Sequence, residues 1–238
     1  MQSPSWWRSR NIISWLLWPF SLLFGIIVFV RRQAYRMDIF RVYRPKLSVI
    51  VVGNINVGGT GKTPLVIALA RQLQQLGMRP AIISRGYKSK AKQFPFVVTA
   101  DTPVVLAGDE PLMMARHTHC MVMIDPCRVR AVKALEATGE YDVIISDDGL
   151  QHYALARDLE IVVVDNKQQF GNDFLLPAGM LREPVSRIEN ADIVVCNYEM
   201  HEDHKIQHQL LAVLEKNNRY FKMHLKPTSV KSLTTDEA

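Results

Sequence analysis

The stretch from Gly53 to Thr63, GNINVGGTGKT, limits the possible folds more than any other part of the chain. The apolar run at 47–52 before it predicts a buried strand. The apolar-periodic segment after it, with Pro64 in its first turn, predicts a helix. A strand, a glycine-rich turn ending in Gly-Lys-Thr and a helix together predict a phosphate-binding loop. In such a loop the backbone N–H groups and the helix N-terminus face the anion.

Eight residues of this loop are the predicted nucleotide contacts. The Lys62 ammonium is expected to reach the outer phosphates, and the Thr63 hydroxyl is expected to bind Mg²⁺. The usual spacing asks for a glycine five residues before Gly61, and Asn56 stands there instead. The predicted contacts are Asn56, Val57, Gly58, Gly59, Thr60, Gly61, Lys62 and Thr63.

The positive charge of the chain is concentrated in its N-terminal segment. Residues 1–46 hold eight Lys and Arg residues and one acidic residue, a net charge of +7, whereas the rest of the chain has 21 basic and 22 acidic residues. A nucleic-acid-binding domain is expected to carry a basic face on its folded part. The distribution therefore predicts an anionic membrane surface as partner, and no nucleic acid.

The same segment contains an uncharged apolar run from Ile12 to Val30. As a helix it would be about 28 Å long, close to the thickness of the hydrocarbon core. Tryptophans lie near one end and arginines follow the other, which predicts a cytoplasmic location for the bulk of the protein. Two forms of attachment stay open: a single span, or a helix embedded in one leaflet, which Pro19 and the tryptophans favour. A cleaved signal peptide is disfavoured because no small-x-small site follows the run.

The rest of the chain alternates apolar, strand-like runs with helical stretches. This pattern predicts an α/β fold of the P-loop NTPase type, with a mostly parallel sheet covered by helices on both faces. The predicted organisation is a membrane-anchoring segment at 1–46, a P-loop domain at 47–225 and a short tail or start of a further part at 226–238. The predicted strands are 47–52, 79–84, 94–99, 121–124, 141–146, 159–164, 191–196 and 220–225, and helices are predicted after the loop, at 128–137 and at 205–216.

In such a sheet ligands bind at the carboxyl ends of the strands. Asp147 and Asp148 follow a strongly apolar strand and are the best candidates for the acid that binds Mg²⁺. The alternative is a strand-end aspartate that caps the next helix. His152 lies close by in the sequence and is either functional or an ordinary surface histidine.

Two further segments have the composition of functional loops. Asp109 and Glu110 lie between a glycine and a proline, which predicts a loop, and Asp109 is a candidate to accept a proton from a hydroxyl. A turn or a helix cap is the alternative. Arg182 lies in a segment at 176–184 that is rich in proline and glycine, and it either neutralises developing phosphate charge or is a surface arginine.

Taken in order, these motifs resemble a known family. The hydrophobic N-terminus is followed by VGNINVGGTGKTP, SRGYKSK, GDEP, DDGLQH and LLPAGMLREP. This series is similar to the tetraacyldisaccharide 4′-kinases of lipid A biosynthesis, over residues 12 to at least 198. The resemblance implies a bacterial inner-membrane enzyme that faces the cytoplasm. It implies transfer of the ATP γ-phosphate to the 4′-hydroxyl of tetraacyldisaccharide 1-phosphate, which gives lipid IVA, and it implies no protein partner.

The resemblance also implies roles for individual residues. Catalytic roles fall to Lys62, to Asp109 as proton acceptor, and to His152 and Arg182. Mg²⁺ is assigned to Thr63, Asp147, Asp148 and Glu183, and the substrate to Glu110, Arg128 and Gln151.

Members of this family continue into a second, smaller α/β part with a histidine that pairs with the GDEP aspartate, whereas this chain stops at Ala238. We therefore expect a C-terminal part to be missing. Two other functions stay open: a truncated remnant that binds ATP without catalysis, and a membrane-associated P-loop ATPase switch. Switches of that kind carry a lysine just before the paired glycines, where this chain has Val57.

Overall fold

The structure is a computed structural model and describes residues 4–198, residue 210 and residues 219–226. An eight-stranded sheet with the order β3-β4-β2-β5-β1-β6-β7-β8 forms the centre of the fold, and only the edge strand β3 runs antiparallel to its neighbour. The mostly parallel sheet is therefore confirmed. The strands are β1 Ser48–Gly53, β2 Pro80–Ser84, β3 Phe96–Val98, β4 Met121–Ile124, β5 Val143–Asp147, β6 Leu159–Asp165, β7 Ile193–Tyr198 and β8 Tyr220–His224.

Helices cover both faces of the sheet, as the sequence predicts. Side chains of α2 and α4 pack with Val52 on one face, whereas side chains of α5 pack with Val49 and Val51 on the other. This alternation follows from the two-residue repeat of a strand that is buried on both sides. The helices are α1 Ile12–Arg36, α2 Lys62–Gln75, α3 Val104–Ala107, α4 Asp109–Thr118 and α5 Arg128–Thr138. Of the helix predicted at 205–216, only residue 210 lies among the described residues.

The prediction of a loop at Asp109 and Glu110 is wrong, because both residues form the first turn of α4. Pro111 is the third residue of this helix, where a proline costs no intrahelical hydrogen bond. The two acidic side chains at the N-terminus also favour the helix through its dipole. The buried positions of α4 recur at helical spacing, at Pro111, Leu112, Met114, Ala115 and Thr118.

The N-terminal apolar run forms α1, which continues through Pro19 and begins with a reciprocal cap between Asn11 and Ser14. Among the described residues it is the one helix that is long and apolar enough to cross a membrane, and most of its large apolar side chains are exposed. Its buried positions are polar: Ser14 and Ser21 are almost inaccessible to solvent.

A narrow side of α1 packs against the segment that follows β6. The Ser21 hydroxyl donates to the Leu175 carbonyl at 2.8 Å and accepts from the Ala178 amide at 3.0 Å. The Trp15 ring meets the Phe174 ring edge-on, with 5.2 Å between centroids. The helix is thus attached to the domain through a few specific contacts, and its remaining apolar surface stays exposed.

A steric test of the fold is available where β1 turns into the glycine-rich loop. A Cβ atom on Gly53 would lie 2.6 Å from the Leu150 Cβ and 3.0 Å from the Leu150 amide nitrogen. We expect Gly53→Ala to lower the free energy of unfolding by about 1–3 kcal/mol, as overpacking of a tight core does. The control is Gly59→Ala, because a Cβ there meets nothing within 4 Å. Urea denaturation measures both variants, and equal stabilities would contradict the predicted contact.

Candidate functional site

The glycine-rich loop joins the carboxyl end of β1 to the N-terminus of α2, as predicted from the sequence. Gly58 and Gly61 have φ angles of 128° and 90°, a region of backbone conformation that favours glycine. Gly61 caps α2, so Lys62 and Thr63 form the first turn of the helix. The Lys62 ammonium and the free N–H groups of this turn therefore lie at the positive end of a helix dipole.

Asn56, the departure from the usual glycine spacing, is almost completely buried in this loop. Its side-chain oxygen accepts from the Asn54 amide at 3.0 Å, and its own amide donates to the Gln169 carbonyl at 3.2 Å. The Asn56 side chain thus ties the first half of the loop to the segment after β6. No local sequence pattern predicts this hydrogen bond, because Gln169 is more than a hundred residues from Asn56.

The segment 175–183 lies alongside the first half of the glycine-rich loop. The Val57 amide donates to the Met180 carbonyl at 2.8 Å, and the Arg182 amide donates to the Ile55 carbonyl at 2.6 Å. These bonds flank an antiparallel bridge between Asn56 and Leu181. We call this segment the clamp segment, since its backbone fixes the position of the loop and of Arg182.

Asp147 ends β5 and pairs in register with Val52, so it lies beside the start of the glycine-rich loop. One of its carboxylate oxygens, Oδ2, accepts from the Ser84 hydroxyl at 3.1 Å. The other, Oδ1, is buried and has no hydrogen-bond partner among the described residues. Burial, with repulsion from Glu110 and Asp148, raises the pKa of Asp147 to about 6. The described part of the site thus holds a desolvated carboxylate whose second oxygen is available to a ligand.

Asp148 lies between two cations. Its carboxylate is 3.6 Å from the Lys62 ammonium and 3.2 Å from the Arg182 guanidinium. Burial works against the charged form, but Lys62 and Arg182 outweigh it and hold the pKa of Asp148 below its ordinary value. The residue has a φ of 48°, a left-handed conformation that is uncommon outside glycine and often marks a functional turn. Lys62, Asp148 and Arg182 therefore form one charged cluster.

Glu183 follows Arg182 in the chain and is fully buried. Its two oxygens accept from the Gln151 amide at 2.8 Å and from the Tyr153 hydroxyl, and the Arg187 guanidinium lies 3.3 Å away. Gln151 also donates to the Asn54 carbonyl at 3.1 Å. Glu183 and Gln151 thus join the clamp segment to the glycine-rich loop, and the protein groups already occupy both Glu183 oxygens.

Arg128 contacts the acidic pair, Asp147 and Asp148, and His152 lies in the turn that follows the pair. The Arg128 guanidinium donates to the carbonyls of Asp125 and Asp147, at 3.0 and 3.1 Å, and its burial lowers its pKa to about 10. Burial, together with Arg128 and other nearby arginines, lowers the pKa of His152 to about 4. His152 is therefore neutral near pH 7, and its buried Nε2 has no hydrogen-bond partner among the described residues.

Asp109 and Glu110 face different surroundings at the start of α4. The carboxylate of Glu110 is close enough to Asp147 to raise the pKa of that residue. Asp109 lines an open cleft with Val104, Met113 and Arg116. Within the described ranges, no hydrogen bond or ion pair joins Asp109 to the charged cluster. The structure thus brings Glu110 towards the acidic pair and leaves Asp109 in the neighbouring cleft.

Asp147 and Asp125 are both buried at the ends of strands, but their partners differ. We therefore expect substitution of the two residues to change the stability of the protein in opposite directions. Asp147 has a raised pKa in the folded protein, so its destabilising charge is absent below its ordinary pKa and fully present above a pH of about 6. We expect Asp147→Asn to raise the free energy of unfolding by about 1–3 kcal/mol at about pH 7.5 and by much less at about pH 3.5. Thermal unfolding in a chelating buffer measures this difference.

Asp125 is the matched control. It is also fully buried, but its carboxylate accepts from the Cys127 amide at 2.7 Å and from the Arg130 guanidinium at 2.7 and 2.8 Å. Asp125→Asn removes a paired charge and should lower stability at about pH 7.5. If both substitutions destabilise the protein equally at neutral pH, the assignment of Asp147 as an uncompensated carboxylate is wrong.

Comparison of the chain with known proteins finds relatives in one family. The family model of LpxK, the tetraacyldisaccharide-1-P 4′-kinase, matches residues 13–238. A tetraacyldisaccharide 4′-kinase of Aeromonas hydrophila is 53% identical over 191 residues, which cover 80% of this chain and 57% of that protein. The enzyme of the same name from Vibrio cholerae is 47% identical over 235 residues, which cover 97% of this chain and 65% of that protein.

A solved structure also matches. LpxK from Aquifex aeolicus, crystallised in complex with ATP, superposes with a TM-score of 0.71 and 37% identity, covering 78% of this chain and 59% of that chain. The chain thus spans less than two thirds of the length of each of these three proteins. The extent of the family match and the identity to these relatives show that the chain belongs to the tetraacyldisaccharide-1-P 4′-kinase family.

Proposed function

We propose that this chain contributes the nucleotide site of an ATP-dependent kinase that phosphorylates the 4′-hydroxyl of tetraacyldisaccharide 1-phosphate to give lipid IVA. The observation that carries the proposal is the charged cluster of Lys62, Asp148 and Arg182 beside the buried carboxylate of Asp147. Family membership supports the choice of substrate, because the named relatives are kinases of this disaccharide.

The glycine-rich loop from Asn56 to Thr63 is the proposed ATP site. The first turn of α2 presents N–H groups without helical partners, which suit a polyphosphate. The Lys62 ammonium and the Arg182 guanidinium neutralise Asp148. We infer that the phosphates draw these cations away from Asp148, so that Lys62 and Arg182 neutralise the negative charge of the reacting phosphoryl group.

The residues present fit a magnesium ion. The Asp147 Oδ1 atom is a desolvated carboxylate oxygen that has no hydrogen-bond partner in the described part of the chain, and the side chain of Thr63 lies in the first turn of α2. Asp148 is the second proposed carboxylate. Glu183 is a weaker candidate for a ligand than the sequence suggests, because Gln151, Tyr153 and Arg187 occupy its oxygens. When bound, Mg²⁺ supplies positive charge that neutralises the terminal phosphates.

Asp109 is the proposed proton acceptor for the sugar hydroxyl. It is exposed in an open cleft, so an acceptor can reach it from solvent or from a lipid surface. Glu110, which lies near Asp147, and His152, which is neutral near pH 7, are proposed to bind the acceptor. Arg128 holds the backbone of Asp147 and is proposed to position that carboxylate.

The contacts between α1 and the rest of the domain limit how the helix can attach to the inner membrane. Trp15 packs on Phe174, and Tyr35 packs on Tyr153 with 5.8 Å between ring centroids. These two contacts are about 30 Å apart along the helix, which is close to the full thickness of the hydrocarbon core. A perpendicular span with both contacts intact would draw the polar domain into the bilayer. We therefore propose that α1 lies in the cytoplasmic leaflet, with its exposed apolar face in lipid and the domain in the cytoplasm.

The kinase proposal predicts the effect of removing the lysine of the loop. Lys62→Ala should reduce transfer of labelled γ-phosphate from ATP to tetraacyldisaccharide 1-phosphate by at least about a hundredfold, because catalysis of this kind is mainly electrostatic. It should also weaken ATP binding. Lys133→Ala removes an exposed lysine of α5 and serves as the control with unchanged activity.

The same assay separates the three functions. A kinase forms phosphorylated lipid in proportion to the ATP consumed. A nucleotide switch hydrolyses ATP whether or not the disaccharide is present, and a remnant binds ATP–Mg²⁺ without any turnover. Either of the last two results with the unmodified chain would contradict the proposed activity for this chain.

The role of Asp109 is tested by separating binding from transfer. Asp109→Asn removes the proton acceptor and leaves the glycine-rich loop intact, so we expect the turnover number to fall by about 10²–10⁴-fold. The dissociation constant for ATP, measured by titration calorimetry, should stay unchanged. A comparable loss with Asp101→Asn, an exposed aspartate of the same cleft, would indicate an effect of cleft charge rather than proton transfer.

A further inference from the structure

A second exposed apolar surface lies on the opposite side of the site from α1. Tyr87 after β2, all three large residues of α3 and Met113 of α4 are between 36% and 65% exposed. A soluble surface rarely concentrates this many large apolar side chains in adjacent segments. We call this surface the α3 patch, and its residues are Tyr87, Val104, Val105, Leu106 and Met113.

The backbone under the α3 patch is well fixed. The Lys90 amide donates to the Val105 carbonyl at 2.8 Å, and the Ser89 hydroxyl donates to the Leu106 carbonyl. Gly108, with a φ of 84°, brings α3 so close to the loop after β2 that a Cβ would lie 2.8 Å from the Tyr87 carbonyl oxygen. Beneath the patch Ala107 is fully buried. The exposed side chains are thus presented by a packed surface rather than by a frayed end.

Basic side chains accompany the apolar ones. Lys88, Lys90 and Lys92 are exposed on the loop after β2, and the Lys88 ammonium lies 5.6 Å from the centre of the Tyr87 ring. Exposed acidic residues on the adjoining segments are Asp101, Asp109 and Glu110, and the last two lie at the start of α4. Lysines beside exposed aromatic and aliphatic side chains are the composition that binds an anionic lipid interface.

The topology places the α3 patch and α1 at the same edge of the sheet. The patch lies next to the loop that follows β2, whereas α1 is attached to the segment that follows β6, and both loops leave the carboxyl edge. Strands β5 and β1 lie between β2 and β6 and carry Asp147 and the glycine-rich loop. Three strand spacings amount to about 14 Å. The site therefore lies between two exposed apolar surfaces.

We propose that the α3 patch is a second membrane contact, which seats on anionic phospholipid of the leaflet that holds α1. The two contacts orient the carboxyl edge of the sheet towards the bilayer, so that the cleft between them opens onto the lipid surface. A lipid acceptor then reaches Asp109 without leaving the membrane. This inference rests on the proposed membrane attachment of α1 and adds the orientation of the domain.

The test places one fluorescent label on the patch and one on a distant surface. Val105→Cys and Leu76→Cys, each in a background with Cys127→Ser and Cys120→Ser, carry the same environment-sensitive dye. Leu76 is the matched control, because it is 69% exposed but lies at the C-terminal end of α2, on the opposite edge of the sheet. Vesicles of phosphatidylethanolamine and phosphatidylglycerol contain a lipid-attached quencher, and tryptophan fluorescence reports whether α1 is bound.

We expect the dye at position 105 to be quenched at least about threefold more than the dye at position 76, since only the former enters the interface. Equal, weak quenching at both positions while the tryptophans are bound would overturn the α3 patch and leave α1 as the membrane contact. If neither the dye at position 105 nor the tryptophans respond to vesicles, the proposed membrane attachment of α1 is wrong as well. A blue shift of the dye at position 105 that occurs without vesicles and increases with protein concentration would show that a second copy of the chain, rather than lipid, covers the α3 patch.

A charge substitution tests the lipid chemistry. Lys90→Glu should weaken binding to vesicles that contain phosphatidylglycerol by at least about fivefold, since each lysine near an anionic surface contributes about 1 kcal/mol. It should have no effect on vesicles of phosphatidylcholine alone. Lys133→Glu, on the exposed face of α5, is the control. Equal losses for Lys90→Glu and Lys133→Glu would show a general charge effect and would contradict a specific patch.

Discussion

The backbone pairing between the glycine-rich loop and the clamp segment is the constraint on which the rest of the site depends. Two amide-to-carbonyl hydrogen bonds, Val57 to Met180 and Arg182 to Ile55, hold these segments together. The pairing places the Arg182 side chain beside Asp148 and the Glu183 side chain in the buried network behind the loop. Because the clamp segment also carries the attachment of α1, the phosphate-binding loop and the proposed membrane helix share one supporting element.

The two aspartates at the end of β5 show how neighbouring carboxylates acquire different properties. Asp148 has Lys62 and Arg182 beside it, which keeps its pKa low, whereas burial and the nearby Glu110 raise the pKa of Asp147, and one Asp147 oxygen has no hydrogen-bond partner among the residues that the structure describes. A free, desolvated carboxylate oxygen is unfavourable in the isolated protein and favourable once a cation is bound. The same arrangement therefore costs stability and supports the proposed function, as is common at sites of this kind.

The proposed membrane contacts give the fold an orientation. The carboxyl edge of the sheet holds the glycine-rich loop, the acidic pair and both exposed apolar surfaces, α1 and the α3 patch. An enzyme whose acceptor has acyl chains gains from such an arrangement, because the hydroxyl can be phosphorylated while the chains stay in lipid. The family resemblance alone does not supply this orientation, which depends on where the loops after β2 and β6 emerge.

The sequence by itself determined the parts that depend on local pattern. Glycine spacing, apolar runs and strand-end aspartates sufficed for the phosphate-binding loop, the mostly parallel sheet and the apolar N-terminal helix, because each depends on neighbouring residues. Only the tertiary structure placed Gln169 against Asn56, engaged Glu183 with Gln151 and Tyr153, and began a helix at Asp109. The first two features join segments far apart in the chain, which no local pattern encodes. The start of α4 stayed open in the sequence, because a glycine, two acidic residues and a proline suit both a loop and the first turn of a helix.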